Sequence, residues 1–411
     1  MMDRRDFLKI TGSLATAGAA AGSASANLLL PEDQDVSKRY QIGAYYFPNY
    51  HVDPRNETAH GKGWTEWELL KRGEPKYPGH FQPKVPAWGY EDESDPKVFE
   101  KKIEAAASHG LNHFIFDWYW YTDGSFLARG LENGYLQAGN NHKLQFALMW
   151  ANHDWMDIMP KKLGTESPVI YPGKVTRLTF DAITDYIIEK YFRHPSHWKI
   201  AGAPYFSVYE LYRLVDGLGG VEATKDALAS FRQKTKRAGF ADLHLNAVVW
   251  GVKILPGEQT VANPNQLLSV LGFNSLTSYT WIHHIPLPDF PAMEYDYVAG
   301  EAAKHWEKAS TEFSLPYHPN VSMGWDPSPR TVQSDVYTNK GYPFMATLKG
   351  NTPAAFRKAL EKAKEFLDRK NSSPRILTVN AWNEWTEGSY LEPDTVNGLA
   401  YLEAIHGVFG G

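Results

Sequence analysis

The stretch ILTVNAWNEWTEG, Ile376 to Gly388, sets a short apolar run directly ahead of two glutamates spaced three residues apart. Ile376 to Val379 reads as a buried strand, so Glu384 and Glu387 stand where a strand runs out into a loop and not on the surface of a helix. An ExxE pair on a solvated loop is ordinary. Placed at a strand end among Trp382, Asn383 and Trp385, the same pair suits acid/base chemistry on a sugar linkage. One carboxylate can stay ionised while drier surroundings and its neighbour's charge keep the other protonated.

Working outward, seven more β-rich runs precede this one: Ile42 to Phe47, His113 to Trp118, Gln145 to Trp150, Tyr205 to Tyr209, Leu245 to Trp250, Leu276 to Trp281 and Val321 to Trp325. Several are apolar enough to be buried on both faces, which is how parallel strands read. Helical stripes lie between them. Phe99, Ile103, Ala106 and Ala107 form one that stops at Gly110, and Phe180, Ile183, Ile187 and Tyr191 form another ahead of Pro195. Leu228, Phe231, Thr235 and Ala238 mark a third. The clearest is Thr352 to Lys370, with a capping Thr352, Pro353 in the first turn, and Phe356, Leu360, Ala363 and Leu367 on one face. Eight alternating units close most simply into an α/β (β/α)8 TIM barrel with extended loops after the strands. An open doubly wound sheet is the alternative, but no G-x-G-x-x-G or P-loop pattern follows the first strand.

In such a barrel the loops after the strands form the active face, so residues distant in sequence can meet there. The strand ends supply Tyr45, Tyr46, Asn49 and His51, then Asp117, Trp118 and Tyr119, then Trp150, Asn152, His153, Asp154 and Trp155. Later ends add Tyr209, Glu210, Trp250, Tyr279, Trp281, Trp325, Asp326 and Asn383. Core packing gives aromatics no reason to favour one end of the strands, so their repetition there points to a binding wall. Asp117 follows the apolar run Phe114 to Phe116 and would be costly to bury without a partner. A site role and a structural ion pair are its two readings. Asn152, His153 and Asp154 suit either sugar hydroxyls or a loop turn. Asp326 sits in DPSP, ordinary turn chemistry, while Glu210 and Glu392 are reserve carboxylates, the latter suited to ordering the last loop. His283 and His284 are adjacent and His194 and His197 flank Pro195, so none makes a metal-ligand pattern. No metal or other cofactor is implied. No G-x-S-x-G elbow occurs either.

The chain opens with RRDFLKITGSLATAGAAAGSASA, which reads as a twin-arginine export signal cleaved after Ala26. Residues 1–26 are then the signal, 27–39 a polar lead, and 40–411 a single (β/α)8 domain that is periplasmic or secreted. The Ala/Gly/Ser-rich stretch is too short and too polar to span a bilayer, and no later one is long enough. There is no cysteine, and the formal charge of -5 argues against nucleic acid, whose phosphates call for clustered Lys and Arg. Aromatics make up 14% of the chain, with 14 Trp and 23 Tyr, and their flat faces match the CH faces of sugar rings. A poly- or oligosaccharide substrate and a monomeric protein are expected.

Five segments carry a family resemblance, in order along nearly all of residues 40–411: GAYYFPNYH, GKGWTEWELLKRGEPKYPGHFQP, FDWYWY, ALMWANHDW and NAWNEWTEGSYLEPD. Together they resemble the WbsX-like family, whose sequences are often labelled glycosyltransferases and which is related to glycoside hydrolase family 99, the endo-α-mannosidases. The resemblance implies a (β/α)8 barrel acting on carbohydrate. NEWTEG is similar to the NEWHEG segment of family 99. At those positions Glu384 matches the carboxylate that deprotonates the sugar's own 2-hydroxyl, and Glu387 the acid/base that protonates the leaving oxygen. Thr386 departs from the histidine there, so mannose specificity does not carry over. Trp64, Glu66 and Trp67 fall in the segment matching the family's G-x-x-W/F-T-E-W and read either as binding wall or as loop packing.

The implied chemistry is retaining hydrolysis through a 1,2-anhydro sugar, for which the 2-hydroxyl must lie trans to the departing group, as in α-mannosides and α-L-rhamnosides. A carboxylate nucleophile would use the same two residues differently. Glycosyl transfer, the family's common label, needs an activated donor, and neither a Gly-rich phosphate loop nor a DxD motif is present. A sugar-binding protein without catalysis is the third reading.

Overall fold

The computed structural model describes residues 40–370 and 373–410. The expected export signal and the polar lead, residues 1–39, fall outside them. Eight parallel strands appear where the sequence places them, with shifted ends: Tyr40–Tyr46, His113–Tyr121, Gln145–Trp150, Ala203–Val208, His244–Val248, Ser275–Thr277, a seventh in two pieces, and Arg375–Asn380. The seventh strand is interrupted at Pro319, which cannot donate to a ladder. Its first piece, Tyr317–His318, pairs with the sixth strand, and its second, Asn320–Ser322, pairs with the eighth. The eighth pairs in turn with the first, so the strands run around a barrel whose closure falls on the broken seventh strand.

Helices fill the crossovers. Pro96–Ser108 begins at Asp95, whose side chain accepts from Lys97 N, and buries Val98, Phe99, Ile103 and Ala106. Arg177–Ile187 is capped by Thr176, and Val221–Arg237 buries Leu228, Phe231 and Thr235. Pro353–Lys370 buries the expected stripe of Phe356, Leu360, Ala363 and Leu367, and Thr352 Oγ1 accepts from Ala355 N at 3.2 Å. A further helix, Tyr295–Glu312, buries Tyr295, Val298, Ala302 and Trp306. Among the described residues no helix is long and apolar enough to cross a membrane.

The period of two along a strand decides what reaches the cavity. On the second strand Asp117 and Tyr119 face it, whereas Trp118 points to the helix layer and donates to Tyr191 Oη at 3.2 Å.

Candidate active site

After the eighth strand the chain makes a small hairpin in which Asn383–Glu384 pairs with Ser389–Tyr390 across the turn Trp385–Glu387. Glu384 therefore sits on a strand and Glu387 on the turn. Gly388 reverses the chain at φ 64°, and a Cβ there would lie 2.6 Å from Asp326 Cβ. The hairpin is fastened from behind. Trp382 Nε1 and Trp385 Nε1 donate to the two oxygens of Glu392 at 2.8 and 2.7 Å. Buried Lys102 lies 2.6 Å from both Glu392 and Glu93. Asn383 clamps the first strand's exit, accepting from Phe47 N at 2.8 Å and donating to Phe47 O at 2.7 Å.

In front of the hairpin lies an open cavity of about 670 Å³, counting the space continuous with solvent, walled by the exits of all eight strands. Both glutamates line it and are nearly buried, at 3% and 5% exposure. Arg330, from the turn after the seventh strand, ties them together. Its Nη2 donates to Glu384 Oε2 at 3.1 Å, its Nη1 to Glu387 Oε1 at 2.5 Å, and its Nε to Glu66 Oε1 at 2.8 Å. Tyr342 Oη adds a second donor to Glu387 Oε1 at 2.8 Å. Tyr279 Oη stands 3.0 Å from Glu384 Oε1 and 2.8 Å from Asp117 Oδ2.

Three buried carboxylates thus share one guanidinium, with Asp117 close by, and burial raises the proton affinity of Glu384, Glu387 and Asp117. Burial, then the charge of Glu387, pushes Glu384 well above the usual carboxylate range against the pull of Arg330. Burial also raises Glu387, opposed by Arg330 and by the Tyr342 hydrogen bond. Asp117 is raised well above its ordinary value by burial, with no cation beside it. A pair with this environment can hold a proton on one member while the other stays ionised.

Of the residues read as site candidates, Asp117, Tyr119, His153, Asp154, Tyr209, Tyr279, Trp325, Glu384 and Glu387 line the cavity. Trp155, on the same strand end as His153, does too. His153 is held by Asp154 O at 2.9 Å, and Asp154 is itself paired with Arg213 at 2.6 Å. Tyr45 lies beneath, its ring 4.7 Å from that of Tyr279. Trp250 backs Tyr209 at 4.8 Å. Glu66 supports Arg330, and Thr386 Oγ1 donates to the same carboxylate.

The remaining candidates pack away from the cavity. Tyr46 accepts from Lys102 at 3.0 Å behind the first strand. Trp150 faces Phe180 in the helix layer, and Trp281 donates to Asn320 O at 2.8 Å. Asn152 bridges to the backbone of Glu210 at 2.8 Å in both directions. Trp67 packs tilted against Tyr50 at 4.1 Å, and Trp64 stacks on His60 at 4.2 Å. His51 is fully buried. Asp326 is enclosed by Lys84, Gln82 and His80 at 2.7 to 2.9 Å, an ion pair that fixes the loop before Arg330.

Arg330, Tyr342 and His283 were not legible as site residues. The single arginine of WDPSPR was the available signal for Arg330. His283 lines the cavity 3.5 Å from Glu258.

Residues 42–405 match the family described as Glycosyltransferase WbsX. The chain belongs to the WbsX family. A curated relative, Uncharacterized protein WxcX of Xanthomonas campestris pv. campestris, is 27% identical over 364 residues, covering 88% of this chain and 48% of that protein. The chain spans about half the length of the curated relatives it matches. Among solved structures, the WbsX chain is similar to the GH99 endo-alpha-mannosidase from Bacteroides thetaiotaomicron, with TM-score 0.51 and 13% identity over 89% of this chain and 95% of that one. A glycoside hydrolase-like protein gives TM-score 0.56 and 14% identity, covering 91% and 95%. At these identities the likeness is one of fold, and the WbsX barrel is of the same type.

Proposed function

We propose that this WbsX-family chain is a glycoside hydrolase that cleaves α-linked, manno-configured glycans such as α-mannosides or α-L-rhamnosides with retention. The observation that carries the reading is the pair Glu384 and Glu387, held on one guanidinium at the wall of a cavity lined by Tyr119, Tyr209, Tyr279 and Trp325. The similarity of the barrel to the GH99 endo-alpha-mannosidase supports it.

In this mechanism Glu384 takes the proton of the sugar's 2-hydroxyl as O2 attacks C1 from the face opposite the leaving group. The C1–O bond to the leaving group breaks, and Glu387 gives that oxygen a proton. Glu387 then deprotonates water, which opens the 1,2-anhydro ring at C1, while Glu384 returns its proton to O2. Arg330 holds both carboxylates through the cycle. The same reading has the protein exported through its twin-arginine segment. N-terminal sequencing of the extracytoplasmic protein should begin after Ala26, and an intact Met1 in the cytoplasm would overturn that part.

The family's description favours transfer as the second reading. A panel of purified glycans assayed for released reducing sugar, with Glu384→Gln and Glu387→Gln as controls, separates the two. Release without any activated donor supports hydrolysis. Product that depends on a sugar nucleotide supports transfer, and binding without product supports a lectin.

A further inference from the structure

Tyr279 has one hydroxyl proton and two carboxyl neighbours, Asp117 Oδ2 at 2.8 Å and Glu384 Oε1 at 3.0 Å. With both carboxyls ionised, one contact would set oxygen lone pairs against each other in a buried site, which is unfavourable. The geometry is satisfied when one carboxyl is protonated and donates to the phenol oxygen, which then donates to the other. We infer that Asp117 is the protonated member, a neutral carboxylic acid that donates to Tyr279 Oη and so directs the tyrosine proton onto an ionised Glu384.

Three observations select Asp117. It is 2% exposed, and its Oδ1 has no hydrogen-bond partner, whereas Glu384 Oε2 is held by Arg330. The groups facing Asp117 from the packed elements bring no cation into contact: Tyr45 from the first strand, Tyr119 from its own, Tyr279 after the sixth, and Glu384 and Glu387 after the eighth. Arg330, the nearby cation, is engaged with Glu66, Glu384 and Glu387.

The consequence reaches the catalytic pair and rests there on the hydrolase reading. Both oxygens of Glu384 accept, Oε1 from Tyr279 and Oε2 from Arg330, and these two donors hold it ionised against the burial and the Glu387 charge that raise it, as the group that deprotonates the 2-hydroxyl must be. The proton shared by the pair then falls to Glu387, whose Oε1 accepts from Arg330 and Tyr342 and whose Oε2 is left to carry it. Asp117 is in this scheme a positioning residue that acts through Tyr279.

The test is difference infrared spectroscopy of the full chain at neutral pH, wild type minus Asp117→Asn. A protonated-carboxyl C=O band that disappears in the variant, and that shifts in Tyr279→Phe where its acceptor is gone, is the expected result. A carboxylate band in its place overturns the proposal. This readout needs no turnover, so it stands or falls apart from the hydrolase assignment. Where a substrate is in hand, Asp117→Asn, whose amide still donates, should keep kcat within about tenfold, while Asp117→Ala loses on the order of a hundredfold. Equal losses in both variants would mean that the acid's donor role is not what the site uses, and would also overturn the proposal.

Discussion

Arg330 reaches Glu384 at 3.1 Å from a turn 54 residues earlier in the chain, and the same guanidinium holds Glu387 and Glu66. Replacing it by methionine strands three buried carboxylates without a cation, at a cost of about 3–5 kcal/mol by the usual penalty for breaking a buried ion pair. Thermal unfolding of Arg330→Met should show that loss. Arg330→Lys should not restore activity, because a single ammonium cannot span three carboxylates in a fork. Wild-type melting and turnover in the lysine variant would contradict the bridging role.

On the proposed hydrolase reading, Glu387→Gln removes the acid that assists departure of the leaving oxygen. Turnover of natural glycosidic linkages should fall by about 10²–10⁴-fold, while substrates with activated leaving groups keep far more of their rate. Steady-state kinetics on matched pairs of substrates reads this directly. Similar losses on both kinds would move the acid elsewhere.

Gly388 holds the turn that carries Glu387 at φ 64°, where an L side chain is strained, and the added methyl would meet Asp326 Cβ at 2.6 Å. Gly388→Ala should therefore lower stability by about 1–3 kcal/mol and depress kcat more than KM as Glu387 is displaced. A variant with both stability and kcat unchanged would show that the turn tolerates the methyl.

Acid should destabilise this barrel through its buried histidines. Burial lowers His113, His197 and His318 to about 3 and His51, His244 and His305 to about 4. Because the unfolded chain takes up these protons first, stability is lost as pH falls from about 6.5 toward 4. Glu93 and Glu210, raised by burial to about 7 and about 8, act the other way, losing their contribution as pH rises. His113 stacks on Trp198 at 3.8 Å. His113→Phe keeps that ring contact without a titrating group, so its melting temperature should fall less steeply than wild type between pH 6.5 and 4. Parallel curves would refute the assignment.

Much of the barrel was readable because buried parallel strands tend to be continuous apolar runs, and several of the eight carry one, such as Phe114 to Phe116 and Phe146 to Trp150. The break at Pro319 was not foreseen: Tyr317 and His318 do not look like a strand on their own. At the site, Glu384 and Glu387 stood out because they are three residues apart at a strand end. Tyr46, Trp118 and Trp150 misled because being at a strand end does not say which face a side chain takes, and each falls on the outward parity. Arg330 was hidden for a different reason. Its partners Glu66, Glu384 and Glu387 are 264, 54 and 57 residues away, so its importance exists only after folding.

The indoles of Trp382 and Trp385 are fastened to Glu392, behind the reacting face. Much of the motif's recognisable lettering is therefore carpentry, and chemistry is left to two replaceable side chains. Exchanging both Glu384 and Glu387 for glutamine should leave the framework standing and, on the proposed hydrolase reading, give an idle twin able to capture an uncut glycan for crystallography.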